Sequence, residues 1–288
     1  MSPMPELRIA TRASDLALAQ ARWVQDKLAR TKPDLEVTLV EVTTSGDRDQ
    51  VTSVATLTEV GAFVRAVQRA VLEGHADLAV HSCKDLPVDG PRGLTAIYPK
   101  REAPWDVLCG HDLDSLPAGS RVGTGSPRRA AQMRGLRPDV ETAEIRGNVG
   151  TRLEKMRSGG YDAVILAEAG LRRLGREDEI RHRFTLREMV PAPAQAALAV
   201  EIREDDPRLD LLMAIDDPDT RIAVETERAL LADTRAGCRS ALGVYGEVRG
   251  AEIHLTGFIE DDHGARHAEA DGLSPNTVSR SLQARLGL

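Results

Sequence analysis

The chain is short of aromatic residues and of cysteine. Phe, Tyr and Trp together make up 3% of its 288 residues, so the core must rely on Leu, Val, Ile and Ala. The three cysteines, Cys83, Cys109 and Cys238, are odd in number and widely spaced. This pattern argues against a disulfide framework and against a cysteine-based zinc site. Each is expected to be a free thiol, and the alternative for any one of them is a small buried apolar residue.

Long apolar runs are also missing. No stretch approaches the roughly 18 residues that a membrane-spanning helix needs. The segment MSPMPELRIATRASD at residues 1–15 lacks the apolar region of a signal peptide. Hydrophobic residues at 41% and charged residues at 29% are typical of a globular protein. We therefore expect a cytoplasmic protein that does not bind membranes.

Charge is unevenly distributed along the chain. The net charge is -7, yet residues 121–187 carry 15 Lys and Arg against 9 Asp and Glu, and all but one of these cations are Arg. Arginine suits bidentate binding of carboxylate or phosphate. A basic segment inside an acidic chain therefore indicates an anionic ligand. Nucleic acid is a less favoured alternative, because the segment has few aromatic residues and no known nucleic-acid motif.

Strand and helix patterns alternate twice along the chain, which predicts two successive α/β units with parallel sheets and crossover helices. A two-lobed protein with a cleft is the corresponding expectation. The pattern from residue 220 onward, a helix followed by strands, predicts a small α+β domain. Strands are predicted at 7–11, 35–43, 77–80, 121–123, 140–145, 161–167, 243–249 and 252–260. Helices are predicted at 16–30, with Ser14 or Asp15 as its N-cap, and at 62–72, 126–136, 149–157, 220–232 and 277–288.

Loops at predicted strand ends contain the residues suited to chemistry. In open α/β sheets, ligands bind at the carboxyl ends of the strands. Small residues before a helix let an anion approach free backbone N–H groups, and nearby guanidinium groups add charge. The alternatives are ordinary ones: solvated basic loops, and a turn or capping role for a single aspartate. These loops are TRAS (11–14), HSCKDLP (81–87), GTGSPRR (123–129), RGNVGTR (146–152) and AEAGLRR (167–173).

Seven stretches occur in an order and spacing that resemble one enzyme family, porphobilinogen deaminase (hydroxymethylbilane synthase). They are RIATRASDLALAQ (8–20), ADLAVHSCKDLP (76–87), VGTGSPRRAAQ (122–132), RGNVGTRL (146–153), YDAVILAEAGLRRLG (161–175), PAPAQAALAVE (191–201) and ERALLADTRAGC (227–238). The resemblance implies two lobes like those of periplasmic binding proteins, plus a small α+β C-terminal domain. The implied domains are 1–98 with 196–216, 99–195, and 217–288.

The resemblance also implies an activity. Members of this family are transferases of tetrapyrrole and haem biosynthesis. They join four porphobilinogen molecules, with release of ammonia, into the linear tetrapyrrole hydroxymethylbilane. The product grows on a dipyrromethane cofactor, which by resemblance is held through a thioether to Cys238. A monomer is implied, with porphobilinogen as its small-molecule substrate and without metal or nucleotide.

Matching motif positions assign the site residues. Asp85 matches the catalytic carboxylate, which stabilises positive charge on the pyrrole after ammonia is lost and assists proton transfer. Its neighbour Lys84 would favour the ionised form. The growing chain gains acetate and propionate groups with every ring, so a dense arginine lining is needed. The implied binding residues are Arg12, Ser14, Lys84, Thr124, Ser126, Arg128, Arg129, Arg146, Gly147, Arg152, Arg173 and Gln195.

The chain departs from the family pattern at a few positions. Val60 and Arg65 stand where many relatives have lysine, so the contribution of the segment near 46–62 stays open. Ala194 and Ala196 stand where relatives have glycine, which leaves the role of Gln195 open. A second class of function is also open at this stage. It is a non-catalytic, two-lobed receptor for a carboxylate or an oxyanion.

Overall fold

The computed structural model describes residues 6–42, 58–233 and 241–288. The first part contains β1 Glu6–Thr11, α1 Asp15–Thr31, β2 Glu36–Glu41, α2 Thr58–Leu72, β3 Leu78–Ser82 and β4 Leu94–Ile97. The middle contains β5 Asp106–Cys109, β6 Arg121–Gly123, α3 Pro127–Leu136, β7 Glu141–Ala143, α4 Val149–Arg157, β8 Ala163–Ala167, α5 Glu168–Arg173 and β9 Ile180–Arg183. The last part contains β10 Leu198–Arg203, α6 Leu209–Met213, α7 Pro218–Asp233, β11 Ala241–Arg249, β12 Glu252–Asp261, β13 Gly264–Gly272 and α8 Pro275–Leu286.

The first sheet has five strands in the order β2-β1-β3-β10-β4. Strand β1 is parallel to β2 and β3, whereas β10 is antiparallel to both β3 and β4. The prediction of parallel strands joined by crossover helices is therefore confirmed for β1, β2 and β3, the three strands predicted in this part, whereas the antiparallel strand β10 makes the sheet mixed. The reason lies in the connection. Strand β10 arrives from the middle of the chain, so no crossover helix within this sheet forces it to run parallel.

The core of the first sheet shows why these elements form. Leu7 and Ile9 alternate on one face of β1, and Ala21, Val24 and Leu28 recur at helical spacing on α1. All five side chains are fully buried in one cluster. Burying a large aliphatic side chain stabilises the fold by roughly 1.5–3 kcal/mol. The contact of α1 with β1 thus fixes the loop between them, which contains Arg12 and Ser14.

The second sheet also has five strands, in the order β7-β6-β8-β5-β9. Strand β6 is parallel to β7 and β8, and β5 is antiparallel to β8 and β9. This sheet is mixed as well. Its core contains the buried side chains of Leu108, Val122, Met133, Ile165 and Phe184. Because β6, β7 and β8 run in the same direction, the loops that follow them meet at one edge of the sheet.

The third sheet is the antiparallel meander β11-β12-β13. Helix α8 packs on it through Val278, Leu282 and Leu286, and Leu230 of α7 joins the same buried cluster. The fold class is thereby confirmed as α/β, with two sheet-and-helix lobes and a small α+β C-terminal part. None of the helices described is both long enough and apolar enough to span a bilayer.

Contacts divide the chain into two compact units. One consists of Met1–Arg101 with Ala197–Arg221, and the other of Glu102–Ala196 with Ile222–Leu288. The first unit contains the first sheet, and the second unit contains the second and third sheets. The second and third sheets nevertheless have separate hydrophobic clusters. The three domain ranges derived from the resemblance stay a prediction.

Candidate active site

Two loops of the first unit meet at one sheet edge. Strands β1 and β3 are parallel neighbours, so their carboxyl ends lie together. The loop after β1 contains Arg12 and Ser14, and the turn after β3 ends at Asp85. These three residues line one cavity of about 90 Å³, together with Phe63 and His81. The structure thus brings together the three predicted site residues Arg12, Ser14 and Asp85.

Arg12 is held over an aromatic ring. Its Cζ atom lies 3.9 Å from the centroid of the Phe63 ring, a cation–π contact. Its Nε is buried and has no hydrogen-bond partner among the residues that the structure describes. A buried donor without an acceptor is costly. This arrangement suits a guanidinium group that binds an anionic ligand.

The sequence leaves open whether Ser14 or Asp15 caps helix α1, and the structure decides for Ser14. Its Oγ accepts a hydrogen bond from the backbone N–H of Ala17 at 3.4 Å, and it is the N-cap of α1. Ser14 is therefore the capping residue. Its contact with a ligand stays a prediction.

Asp85 ends a single 3₁₀ turn, Cys83–Asp85, directly after β3. Cys83 anchors this turn: its side chain is fully buried and its backbone N–H donates to Ala197 O at 3.0 Å. Cys83 is therefore a buried packing residue, which is the alternative that the sequence leaves open for any one of the three cysteines. Lys84 is half-buried and Asp85 is exposed. A fixed backbone thus presents an accessible carboxylate at the sheet edge.

Two loops of the second unit, with the first turns of the helices that follow them, carry most of the remaining predicted residues. Thr124 follows β6 and accepts a hydrogen bond from the Ser126 backbone N–H at 3.2 Å. Ser126 is the N-cap of α3, and its Oγ accepts from the backbone N–H of Arg129 at 3.4 Å. Asn148 caps α4 in the same way, immediately after Gly147. Both loops therefore enter their helices in a defined conformation.

Arg128 and Arg129 share a carboxylate that the sequence did not single out. Asp106, the first residue of β5, is fully buried and accepts from Arg128 Nη1 at 2.7 Å and from Arg129 Nη2 at 2.7 Å. Burial by itself would raise the pKa of Asp106, but the charges of the two arginines lower it well below its ordinary value. Asp106 is therefore ionised. Burial lowers the pKa of Arg128, whose Nε has no partner among the described residues.

Gln195 joins the same buried group. Its Nε2 donates to Asp106 Oδ1 at 3.0 Å and to Pro104 O at 2.7 Å. The flanking residues Ala194 and Ala196 have φ angles of 58° and 70°, in the left-handed region that favours glycine. The two alanines thus keep the backbone shape for which relatives use glycine. The departure noted in the sequence does not prevent Gln195 from reaching Asp106.

Arg152 and Arg173 differ from most arginines of this unit. Each is half-buried and forms no ion pair with a carboxylate in the described parts of the chain. Arg152 Nε donates to Gly147 O at 2.8 Å, and Arg173 Nη2 donates to Ala196 O at 2.6 Å. Burial, aided by repulsion from Arg129, lowers the pKa of Arg152. Burial lowers the pKa of Arg173 to about 10. Both cations have therefore lost hydration without a carboxylate at ion-pair distance in the described residues, although Glu102 partly offsets the effect of burial on the pKa of Arg173.

Two predicted residues stand apart from these groups. Arg146 is exposed and pairs with Glu144, with 2.6 Å between Arg146 Nη2 and Glu144 Oε1. Cys238 lies outside the residues that the structure describes. Asp106 is not among the residues predicted from the sequence. An acidic residue directly before the short apolar run VLC, at the start of a strand, was the available signal.

Gly147 supplies a testable constraint on the loop between β7 and α4. Its φ is +115°, and an added Cβ would lie 2.7 Å from Thr151 Cγ2. We expect Gly147→Ala to destabilise the protein by about 2–4 kcal/mol, since backbone strain and a steric clash add up. Gly159→Ala is the matched control, because Gly159 has φ +81° but open space around its Cβ. Urea unfolding checks this, and equal losses in the two variants would contradict it.

Comparisons with known proteins show the family to which this chain belongs. The family profile described as "Porphobilinogen deaminase, dipyromethane cofactor binding domain" matches residues 7–210. Porphobilinogen deaminase of Xanthomonas axonopodis pv. citri (strain 306) is 43% identical over 293 residues, covering 99% of this chain and 96% of that protein. The enzyme of the same name from Geobacter sp. (strain M21) is 43% identical over 266 residues, covering 91% of this chain and 83% of that protein.

Similarity to solved structures is more distant. The periplasmic VFT2 domain of Bordetella pertussis BvgS has a TM-score of 0.41 and 15% identity, covering 74% of this chain and 87% of that one. The sequence relatives, in contrast, cover at least 91% of this chain at 43% identity. The chain therefore belongs to the porphobilinogen deaminase family, the transferases that assemble hydroxymethylbilane from four porphobilinogen molecules on a dipyrromethane cofactor.

Proposed function

We propose that Asp85 is the catalytic carboxylate of this reaction and that Cys238 holds the dipyrromethane cofactor. We further propose that the guanidinium groups of the strand-end loops bind the acetate and propionate groups of cofactor, substrate and growing product. The observation that supports this most is the state of Arg152 and Arg173. Both are half-buried cations without a carboxylate at ion-pair distance in the described residues.

The residues present fit a polycarboxylate. Removing a guanidinium from water costs free energy, which the lowered pKa values of Arg152 and Arg173 reflect. A bound carboxylate returns that free energy through a charge-assisted, bidentate contact. Arg12 and Arg128 each have a buried Nε without a described partner, which leaves an N–H group for a ligand oxygen, even though Arg128 also pairs with Asp106. We assign these four, with Arg129, Arg146 and Lys84, to the carboxylate groups, and Thr124, Ser126, Ser14, Gly147 and Gln195 to shaping the loops that surround them.

Asp85 would act on the ring that loses ammonia. Porphobilinogen must shed its aminomethyl nitrogen, and this leaves positive charge spread over the pyrrole ring and its N–H. An ionised carboxylate next to that N–H stabilises the charge and takes up the proton that the ring system loses after C–C bond formation. The bound dipyrromethane supplies the pyrrole carbon that receives the first unit. The cavity that Arg12 and Asp85 line together supports this assignment, because a ligand whose carboxylate is bound by Arg12 would lie close to Asp85.

The buried arginines favour a small ligand over nucleic acid. Phosphate backbones are bound by exposed cations that release counterions, whereas Arg128 and Arg129 are buried and paired with Asp106. We therefore propose that porphobilinogen, and not a nucleic acid, is the partner of these loops. A monomeric state and a cytoplasmic location remain predictions from the resemblance.

Arg152→Gln tests the carboxylate-binding role. We expect its kcat/KM for porphobilinogen to fall about 10- to 100-fold, because a hydrogen bond to a charged group contributes roughly 1.5–3 kcal/mol. The matched control is Arg157→Gln. Arg157 lies on the same helix, carries the same charge and pairs with Glu179 at the surface. We expect less than a twofold effect there. Steady-state assay of both variants decides: equal losses, or none in Arg152→Gln, would refute the assignment.

A further inference from the structure

Asp106 is a fully buried carboxylate that lies in none of the motif loops. It begins β5, and its relative exposure is 0%. Its Oδ2 accepts from Arg128 Nη1 at 2.7 Å. Its Oδ1 accepts from Arg129 Nε at 2.9 Å and Nη2 at 2.7 Å, and from Gln195 Nε2 at 3.0 Å. One carboxylate therefore contacts three residues from two separate segments, the first turn of α3 and the loop before β10.

The charges in this group do not cancel. Two buried guanidinium groups face one carboxylate, so the three side chains together keep one positive charge. Backbone carbonyls complete part of the coordination: Arg128 Nη1 also donates to Val190 O at 2.6 Å, and Arg129 Nη1 donates to Ile165 O at 3.0 Å. Arg128 Nε is left without a partner in the described residues. The carboxylate thus lowers the cost of burying two cations and leaves them able to attract an anion.

The contacts also fix the orientation of the two guanidinium groups. Each oxygen of Asp106 serves a different arginine, so the planes of the two guanidinium groups are set by one rigid acceptor. Gln195 holds Oδ1 in place, and its own backbone is constrained by Ala194 and Ala196 in the left-handed region. The Ala194 N–H donates to Glu227 Oε2, itself fully buried. Every member of this chain of contacts is buried, so its geometry is pre-organised.

We propose that Asp106 is a positioning residue, holding Arg128 and Arg129 in the orientation in which they bind ligand carboxylates. The proposal rests on the proposed function, in which these two arginines contact the cofactor and the growing product. Asp106 itself does not touch the ligand. Without its charge, the two cations repel each other in a dry environment and leave their present positions.

Asp106→Asn tests this, expressed under conditions that yield holoenzyme from the unaltered chain. The readouts are thermal unfolding and the fraction of protein whose intact mass includes the two added pyrrole units. We expect that fraction to fall at least tenfold. Gln132→Leu is the control for a merely structural loss. Gln132 is buried on helix α3, which also contains Arg128 and Arg129. Its side chain donates to Val190 O and accepts from the Val190 backbone N–H, but it does not contact Asp106. We expect it to load normally at comparable or lower thermal stability.

Normal loading of folded Asp106→Asn would overturn the proposal, as would equal loss of loading in Gln132→Leu. If Asp106→Asn does not fold, Asp106→Glu decides, because it keeps the charge and moves the carboxylate by one methylene. Its loading should then fall below that of the unaltered chain, and unchanged loading would overturn the proposal. The double variant Arg128→Gln/Arg129→Gln separates the two ideas. Normal cofactor loading in the double variant would refute the proposed function. Impaired loading in the double variant, together with normal loading in Asp106→Asn, would refute only the positioning role of Asp106.

Discussion

Replacing Asp85 by asparagine should leave the fold intact and lower kcat by about 10²- to 10⁴-fold, the range that a positioned acid–base or charge-stabilising group contributes. Asparagine has nearly the same shape but neither the negative charge nor the basicity of the carboxylate. Asp85 is exposed and ends its turn without filling the core. Surface substitutions of this kind usually change stability by less than about 0.5 kcal/mol.

The matched control for Asp85→Asn is Asp89→Asn. Asp89 is an exposed aspartate four residues further along the same segment, and it does not line the cavity shared by Arg12 and Asp85. Both variants remove one negative charge from the same region. Any effect of net charge on substrate attraction should therefore appear in both. Initial rates of porphobilinogen consumption, measured with circular dichroism on the same samples, distinguish them. Turnover of Asp85→Asn within tenfold of the unaltered enzyme would rule out the catalytic assignment.

The placement of the site at strand ends could be predicted from the sequence. Strand β6 and helix α4 match their predicted ranges, and the loops that follow β1, β3 and β6 contain the expected residues. Such loops are predictable because short buried strands followed by small residues and a capped helix leave a local signature. The enzyme interpretation is confirmed by the family. This excludes the alternative of a receptor without catalytic activity.

Strand direction and the buried ion group could not be predicted in the same way. The segments DVLC and LAVEIR, which form β5 and β10, are short apolar runs that look alike in parallel and antiparallel sheets. Their direction depends on which part of the chain they come from. Asp106 looks like an ordinary acidic residue before a strand, and only the fold brings Arg128, Arg129 and Gln195 to it.

The resemblance assigns cofactor attachment to Cys238, and Cys238→Ser should remove the added mass of two pyrrole units. A thioether needs the thiolate as nucleophile, and a serine hydroxyl is far less reactive under the same conditions. We expect intact mass spectrometry to give the mass of the bare chain for Cys238→Ser and the increased mass for the unaltered enzyme. Turnover should fall by the same proportion as the loaded fraction.

Cys83→Ala and Cys109→Ala are the controls that make this result specific. Both side chains are fully buried, and burial raises the pKa of Cys109 to about 12, so its thiolate is strongly disfavoured. Neither thiol is accessible for attachment, and both variants should keep the added mass even if their stability drops. Retention of the added mass in Cys238→Ser, or its loss in a folded Cys109→Ala, would show that the cofactor is attached to a residue other than Cys238. Loss of activity alone would not settle the matter, because activity depends on catalysis as well as on cofactor attachment.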